Sequence, residues 1–511
     1  MLDWYREPFS TQATDTDSEP FRPPSDSKAS WANGSMPKKQ DVMSEPYEES
    51  APLPSLPPAS ELSGLPESLK SSKPFDPSNS SASLDILRPA EPPPLTERRE
   101  SNYDDPSATK LLEILDKDDC THVAAFQAYS ELRYPGVWYL SDDSIRLLFR
   151  RLSVVEKKNK DSMLRYLSVV DDMKSSGFDM TQAEWNSAIA FCGQCFARIS
   201  ADDVETALRT WKEMEEEAKV KGGHVTFNIL FDMAAKSGKF VLAEMILKEM
   251  ETRKLRINRY ARVGLIFYHG LKADGDGIRR AYREFVEAGE IVDTVVMNCV
   301  IASFMRAGEP SAADQVYERM KRMLSKYTGQ TIPLLRWKET RDLGRILNRA
   351  AREFKDQPER LQQLRNEQLL APNLRTYAIF VEHHASRTGE LRRISTLLTE
   401  MSHLGIPIHG RIFLKIFKGF AFHGGLRYTS WTTARLESVW DALLVAVEET
   451  DVKVMRWTVV WAVRAFERCA GRERMFEVWG ELRRRWKPGD WGELQMVMGL
   501  LRDCLDVDDF K

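Results

Sequence analysis

From about Thr109 to Leu505, apolar side chains recur at i, i+3, i+4 and i+7, the spacing that gathers them on one face of an α-helix. No stretch alternates with period two, so strands are not expected. The clearest segment is 224–258, HVTFNILFDMAAKSGKFVLAEMILKEMETRKLRIN. Val225, Phe227, Leu230, Met233 and Ala234 predict a first helix. The Lys236-Ser237-Gly238-Lys239 segment then breaks it, glycine being suited to the left-handed turn. Phe240, Ala243, Ile246, Leu247 and Met250 predict a second helix over 240–253, with Leu255 and Ile257 packing the exit of the hairpin.

The pattern restarts at Arg259 and again at Thr294, each time 35 residues on. Asn228 and Asn298 sit in the openings HVTFN and TVVMN. Each is followed ten residues later by a glycine (Gly238, Gly308) and twelve after that by a methionine (Met250, Met320). A fixed period of this size predicts stacked helical hairpins, none of which can bury its apolar face alone. The clearest units are 182–223, 224–258, 259–293, 294–323, 374–409 and 455–488. Residues 410–454 read as a hairpin with an expanded turn around His423-Gly424-Gly425, and 107–180 as two poorer copies. Segment 324–372 fits the period badly: a long basic helix over about 334–355, Pro358, then a short helix. It is either a basic helical insert or a degenerate repeat. The expected fold is all-α, a solenoid of about eight to ten hairpins over 107–505.

Composition changes the picture at the N-terminus. Residues 1–106 hold 18 of the 25 prolines and 19 acidic against 10 basic side chains, a net of −9 within a chain whose total is −3. Such a segment buries too little apolar surface to offset its ordering entropy and is expected to be disordered. The remainder carries +6. No run of about 18 apolar residues predicts a membrane span. The six cysteines show no disulfide spacing, which fits a reducing compartment. The acidic start, MLDWYREPFSTQATDTDSEP, has neither the apolar core of a secretory signal nor the Arg-rich character of a mitochondrial transit peptide.

These hairpins resemble the pentatricopeptide repeat (PPR) family. Val225-Thr226-Phe227-Asn228, Gly238, Glu249-Met250 and Ile257-Asn258 follow that family's pattern, as do Val295-Val296-Met297-Asn298, Gly308 and Arg319-Met320. Trp185-Asn186 and Thr376-Tyr377 follow it in part. No unit shows the Trp-x-x-Leu-Gly-x-x-Tyr helix of tetratricopeptide repeats. The resemblance implies a right-handed α-solenoid that binds single-stranded RNA, one base being read per repeat by two or three side chains. It is nearest to fungal-type mitochondrial members.

Carried onto this chain, the resemblance implies base contacts at the second, fifth and last residues of each unit. The second residues are Val225, Tyr260 and Val295. The fifth are Asn228, Val263 and Asn298, with Asn186 upstream, and the last are Asn258 and Asp293. A carboxamide offers donor and acceptor to a base edge. Tyr260 offers a ring for stacking, and Val263 has no hydrogen-bonding group. In the 374–409 unit the fifth place falls on Ala378 or Ile379. The Asn228/Asn258 unit is expected to prefer pyrimidines. The last residue of the Asn298 unit falls in the irregular stretch and is not assigned. An asparagine recurring at one helix position also has a structural reading, as a cap or bridge to backbone.

Arg341, Arg345, Arg349 and Arg352 line one helical face and are candidates for phosphate contact. Glu339, Asp342 and Glu353 are interleaved with them, so a solvated face is the competing reading. Arg483-Arg484-Arg485-Trp486-Lys487 is a similar cluster. The C-terminal tryptophans (Trp431, Trp440, Trp457, Trp461, Trp479, Trp486 and Trp491) are expected to pack hairpins.

Catalysis has little support. Cys192-Gly-Gln-Cys195 lacks a second ligand pair, and no deaminase signature or phosphate-binding glycine loop occurs. His383-His384 has no partnering nucleophile motif. The acidic tail at Asp503, Asp506, Asp508 and Asp509 reads as a solvated terminus. No enzyme activity, metal or cofactor is expected.

The expectation is a mitochondrial RNA-binding protein acting in transcript processing, splicing, stability, translation or rRNA maturation. Single-stranded RNA is the partner, with the mitochondrial ribosome or RNA-processing proteins as further candidates and no membrane insertion. The alternative is a protein-binding α-solenoid that serves as a scaffold or assembly factor, favoured by the near-neutral charge.

Overall fold

The computed structural model describes residues 105–499 and 502, apart from 118–119, 157, 195–198, 326–334, 369, 450–451 and 487–493. Residues 1–104, Cys195, Lys487, Trp491 and the acidic tail lie outside the described residues. Among those described the chain is all-α: an α-solenoid of stacked hairpins, without strands. None of the described helices is long and apolar enough to cross a membrane.

Nine helix pairs make the stack among the described residues. The first two are α1 (Pro106–Asp116) with α2 (His122–Ser130) and α3 (Asp142–Ser153) with α4 (Lys160–Ser175). Four follow in register with the 35-residue period: α5 (Gln182–Gln194) with α6 (Ala201–Lys212), α7 (His224–Lys236) with α8 (Phe240–Thr252), α9 (Arg259–Leu271) with α10 (Gly275–Glu287), and α11 (Thr294–Arg306) with α12 (Pro310–Leu324). Two further helices, α13 (Trp337–Glu353) and α14 (Pro358–Glu367), interrupt the series. It resumes with α15 (Leu374–His383) and α16 (Leu391–His403), α17 (Gly410–His423) and α18 (Thr433–Glu449), and α19 (Arg456–Ala470) and α20 (Arg472–Arg485).

From α5 onward each first helix packs on its own second helix and on the first helix of the next unit, so the layer runs α5, α7, α9, α11, α15, α17, α19. The large side chains at the hairpin interfaces are sealed: Phe227, Tyr317, Tyr377, Phe380 and Phe417 are almost wholly inaccessible. Each such side chain contributes about 1.5–3 kcal/mol of hydrophobic stabilisation. Glu215 ties consecutive units together. Its carboxylate accepts from Arg253 (2.5 and 3.1 Å) and from the Gly222 N–H (2.8 Å), while the Arg253 guanidinium lies 4.8 Å from the Phe227 ring centre.

The period also fixes the turns. Gly238 and Gly308 take φ of 78° and 79° between the helices of their units. The same place in the unit between them holds Ala273, at φ 54°, where a β-carbon is strained against the backbone.

The segment 324–372 is an insertion within the stack. α11 packs directly on α15, as neighbouring first helices do elsewhere. α13 and α14 build a small core of Leu347 and Leu361 around Ile291, at the entry to α11. The 35-residue beat is suspended there and then picked up again.

Candidate nucleic-acid interface

The last residue of each central unit caps the next first helix. Asn258 Oδ1 accepts from the Ala261 N–H (3.1 Å), and Asp293 Oδ1 accepts from the Val296 N–H (2.9 Å). Short polar side chains here satisfy N–H groups that a helix leaves unpaired. Asn373 does the same for α15, accepting from Arg375 and Thr376 N–H groups at 3.0 and 3.2 Å.

The fifth-position asparagines meet these caps from the preceding unit. Asn298 Nδ2 donates to Asn373 Oδ1 (3.1 Å), and its Oδ1 accepts from the Thr376 hydroxyl (2.7 Å). Asn373 is therefore the last residue of the Asn298 unit, carried 75 positions away by the insertion. Asn186 Oδ1 likewise accepts from the Thr226 hydroxyl (2.7 Å). Both threonine oxygens in turn accept a backbone N–H, from Gly223 and Asn373, at 3.0 Å. Asn186 and Asn298 are each only 6% exposed. Their carboxamides are built into the joints between units.

Asn228 differs. Its Nδ2 donates to Asn258 Oδ1 (3.2 Å), yet its own Oδ1 is buried without a hydrogen-bond partner. The cause is the next unit's third residue: Ala261 stands where Thr226 and Thr376 stand in their units and brings no hydroxyl. A desolvated carbonyl left unpaired costs about 1–3 kcal/mol. Asn228 and Asn258 are half-buried as residues, while the unspent Oδ1 acceptor itself is inaccessible.

Asp293 is held away from solvent. At 2% exposure it forms an ion pair with Arg259 (2.7 Å), itself 3% exposed, and Arg259 also donates to the Ile291 carbonyl. Asp293 holds the place that Asn258 holds one unit earlier, but its partner Arg259 is the first residue of the unit, the fifth being Val263. The second residues stand outside the packing: Val225, Tyr260 and Val295 are 42%, 49% and 44% exposed. Tyr260 and Val225 flank the Asn228 unit on the first-helix face.

The arginines of α13 are split. Arg341 is half-buried beside Tyr260 and Arg150, and burial followed by the neighbouring Arg345 lowers its guanidinium pKa. A β-carbon at Gly344 would stand 3.7 Å from the Tyr260 hydroxyl, so the insertion lies against the rim of the central units. Arg345 pairs with Asp342 at 3.5 Å, Arg352 donates to the Asn348 carbonyl at 3.2 Å, and Arg349 is exposed.

Cys192 is a buried thiol whose pKa is raised, chiefly by burial, and it contacts Thr210 at 3.7 Å. His384 is buried at 8% exposure, its Nδ1 3.1 Å from the Thr388 hydroxyl. Trp431 and Trp440 are sealed in the core. Trp457, expected to pack, is 40% exposed as the second residue of α19, and Trp461 is half-exposed.

Thr226, Thr376, Asn373 and Arg259 are the residues that single-unit reading missed. The recoverable signal was Asn373 three residues before Thr376, a cap-and-threonine spacing that Gly223 and Thr226 repeat.

Together these features define an α-solenoid of helical hairpins with polar joints along one face. Two of the hairpins match a family model: the one described as PPR repeat matches residues 225–255 and 295–323. Among curated proteins nothing matches the chain. Solved structures similar to it include the pentatricopeptide repeat protein PPR10 from maize, at 17% identity over 75% of this chain and 53% of that one (TM-score 0.30). A second is PPR10 in complex with an 18-nt psaJ RNA element, at 16% identity over 78% and 58% (TM-score 0.30). The chain thus spans a little over half the length of these structures.

Proposed function

We propose that this protein binds single-stranded RNA along its first-helix face and reads a base at the Asn228/Asn258 joint. The observation that carries the reading is the unpartnered Asn228 Oδ1 beside an amide that bonds a second carboxamide, between the exposed Val225 and Tyr260. A base seated there meets donor and acceptor atoms on its edge, with an apolar and an aromatic side chain for its faces. The PPR repeat model matched over residues 225–255, which include Asn228, supports the same reading. Its setting would be mitochondrial transcripts: their processing, splicing, stability or translation, or rRNA maturation.

Crosslinking in cells followed by RNA sequencing tests this. The expected result is a short pyrimidine-rich footprint on mitochondrial transcripts that Asn228→Ala weakens. Absence of crosslinked RNA would remove the proposal. A second reading, a protein-binding scaffold, is favoured by the way Asn186 and Asn298 are consumed in the joints. It would be supported if the purified chain retrieved proteins and no RNA.

A further inference from the structure

The C-terminal units carry different chemistry on the same face. The face of each first helix is formed by its second, sixth, ninth and thirteenth residues, spaced i, i+4, i+7 and i+11. On α17 these are Arg411, Lys415, Lys418 and Phe422. On α19 they are Trp457, Trp461, Arg464 and Arg468. Five cations and three aromatics thus occupy eight places, with no carboxylate among them. The corresponding twelve places on α7, α9 and α11 hold only Lys236 and Arg306 as cations, and Asp232 as an acid.

The side chains of this patch interleave. Lys418 Nζ lies 5.6 Å from the Phe422 ring centre and 5.8 Å from that of Trp461. The Arg464 guanidinium lies 5.3 Å from Trp461, whose ring meets Phe422 edge-on at 5.4 Å. Trp457 is 40% exposed with the Arg456 guanidinium 5.2 Å from its ring, and Arg464 and Arg468 are exposed. Glu382 on α15 pairs with both Lys415 and Lys418, leaving this group with an excess of positive charge. The fifth residues of these two helices, Leu414 and Val460, offer no hydrogen bond to a base.

We infer that the α17–α19 face is a second RNA-binding surface, which holds the strand leaving the central units by stacking and phosphate contact without reading its sequence. Base faces stack on aromatic side chains whatever the base, and flanking cations follow the backbone. The inference rests on the single-stranded RNA reading above and extends it, along the same face, to units that do not read sequence. The division of labour follows from the chemistry: carboxamide joints with few cations at the centre, cations and rings without carboxamides at the end.

Titration of fluorescein-labelled oligo(U) and oligo(A), each of about 20 nucleotides, into the full chain tests it. Trp457 and Arg464 are exposed, so Trp457→Ala and Arg464→Ala leave the core intact, which circular dichroism verifies. Trp457→Ala should weaken both oligonucleotides by the same factor, about 5- to 150-fold, corresponding to about 1–3 kcal/mol for one stacked base. Arg464→Ala should reduce the slope of log affinity against log salt by about 0.7. If both variants bind like the wild type while Asn228→Ala still loses affinity for oligo(U), this surface falls and the central reading stands. If wild-type protein binds neither oligonucleotide, the central reading fails and this inference fails with it. Displacement of oligo(U) by polyglutamate as effectively as by unlabelled RNA would overturn it too, reassigning the surface to an acidic protein.

Discussion

At the residue scale, the recurring asparagine occupies two environments that one position in a sequence cannot separate. Asn186 and Asn298 hold units together through Thr226 and Thr376, whereas Asn228 lacks that partner because Ala261 follows it. Thr376→Val keeps the side-chain shape and removes the hydroxyl, leaving Asn298 Oδ1 buried and short of a donor. It should cost about 1–3 kcal/mol in urea denaturation. An unchanged midpoint would mean that the joint does not bear on stability. Arg259→Met strands the Asp293 carboxylate in the core and should cost about 3–5 kcal/mol. Adding Asp293→Asn to it should recover much of that loss, since the uncompensated charge is then gone while the helix cap remains. Equal stability of the single and double variants would show that the ion pair is not what holds this joint.

At the element scale, the hairpins were legible in the sequence because helix periodicity and repeat period agree over 182–323. Where they conflict, legibility ended. The insertion 324–372 forms helices as its pattern predicts, but nothing in that pattern says that α11 skips it to pack on α15. Only contacts between units carry that information, and so Asn373 escaped assignment. The tryptophans show the same limit: helical spacing marks a face, and only neighbouring helices decide whether that face is buried, as for Trp440, or open, as for Trp457. The turn at Ala273 gives a direct test of the period. Ala273→Gly places glycine where Gly238 and Gly308 stand and should stabilise the chain by about 0.5–1 kcal/mol, relief of left-handed strain outweighing the added chain entropy. A loss of stability on thermal unfolding would contradict that account.

The Glu215 clasp adds a pH dependence between units. Burial opposes the Glu215 carboxylate, but the Arg253 hydrogen bonds and the Gly222 N–H more than offset it, so its pKa is lowered. A carboxylate with a lowered folded pKa stabilises fully above the ordinary glutamate range, about 4.3, and loses that contribution as pH falls through the folded value. Glu215→Gln should therefore be less stable than wild type at pH 7, and the gap should narrow below about pH 4. Urea midpoints followed across this range read it out, and a gap that widened on acidification would reverse the assignment.

At the scale of the whole molecule, one scaffold carries unequal chemistry along its length. The near-neutral total charge conceals a first-helix face that is sparsely charged at the centre and cationic with exposed aromatics toward the C-terminus. Average composition could not show this, because the division depends on which residues share a face. The central claim is base reading at the Asn228/Asn258 joint, and fluorescence anisotropy on purified full-length chain tests it most directly. Wild-type protein should bind a pyrimidine-rich single strand more tightly than a purine-rich one, with affinity falling as salt rises. Asn228→Ala should erase that preference while leaving the fold intact. Equal affinity for both strands in wild type and variant alike, or no binding at low salt, would contradict it.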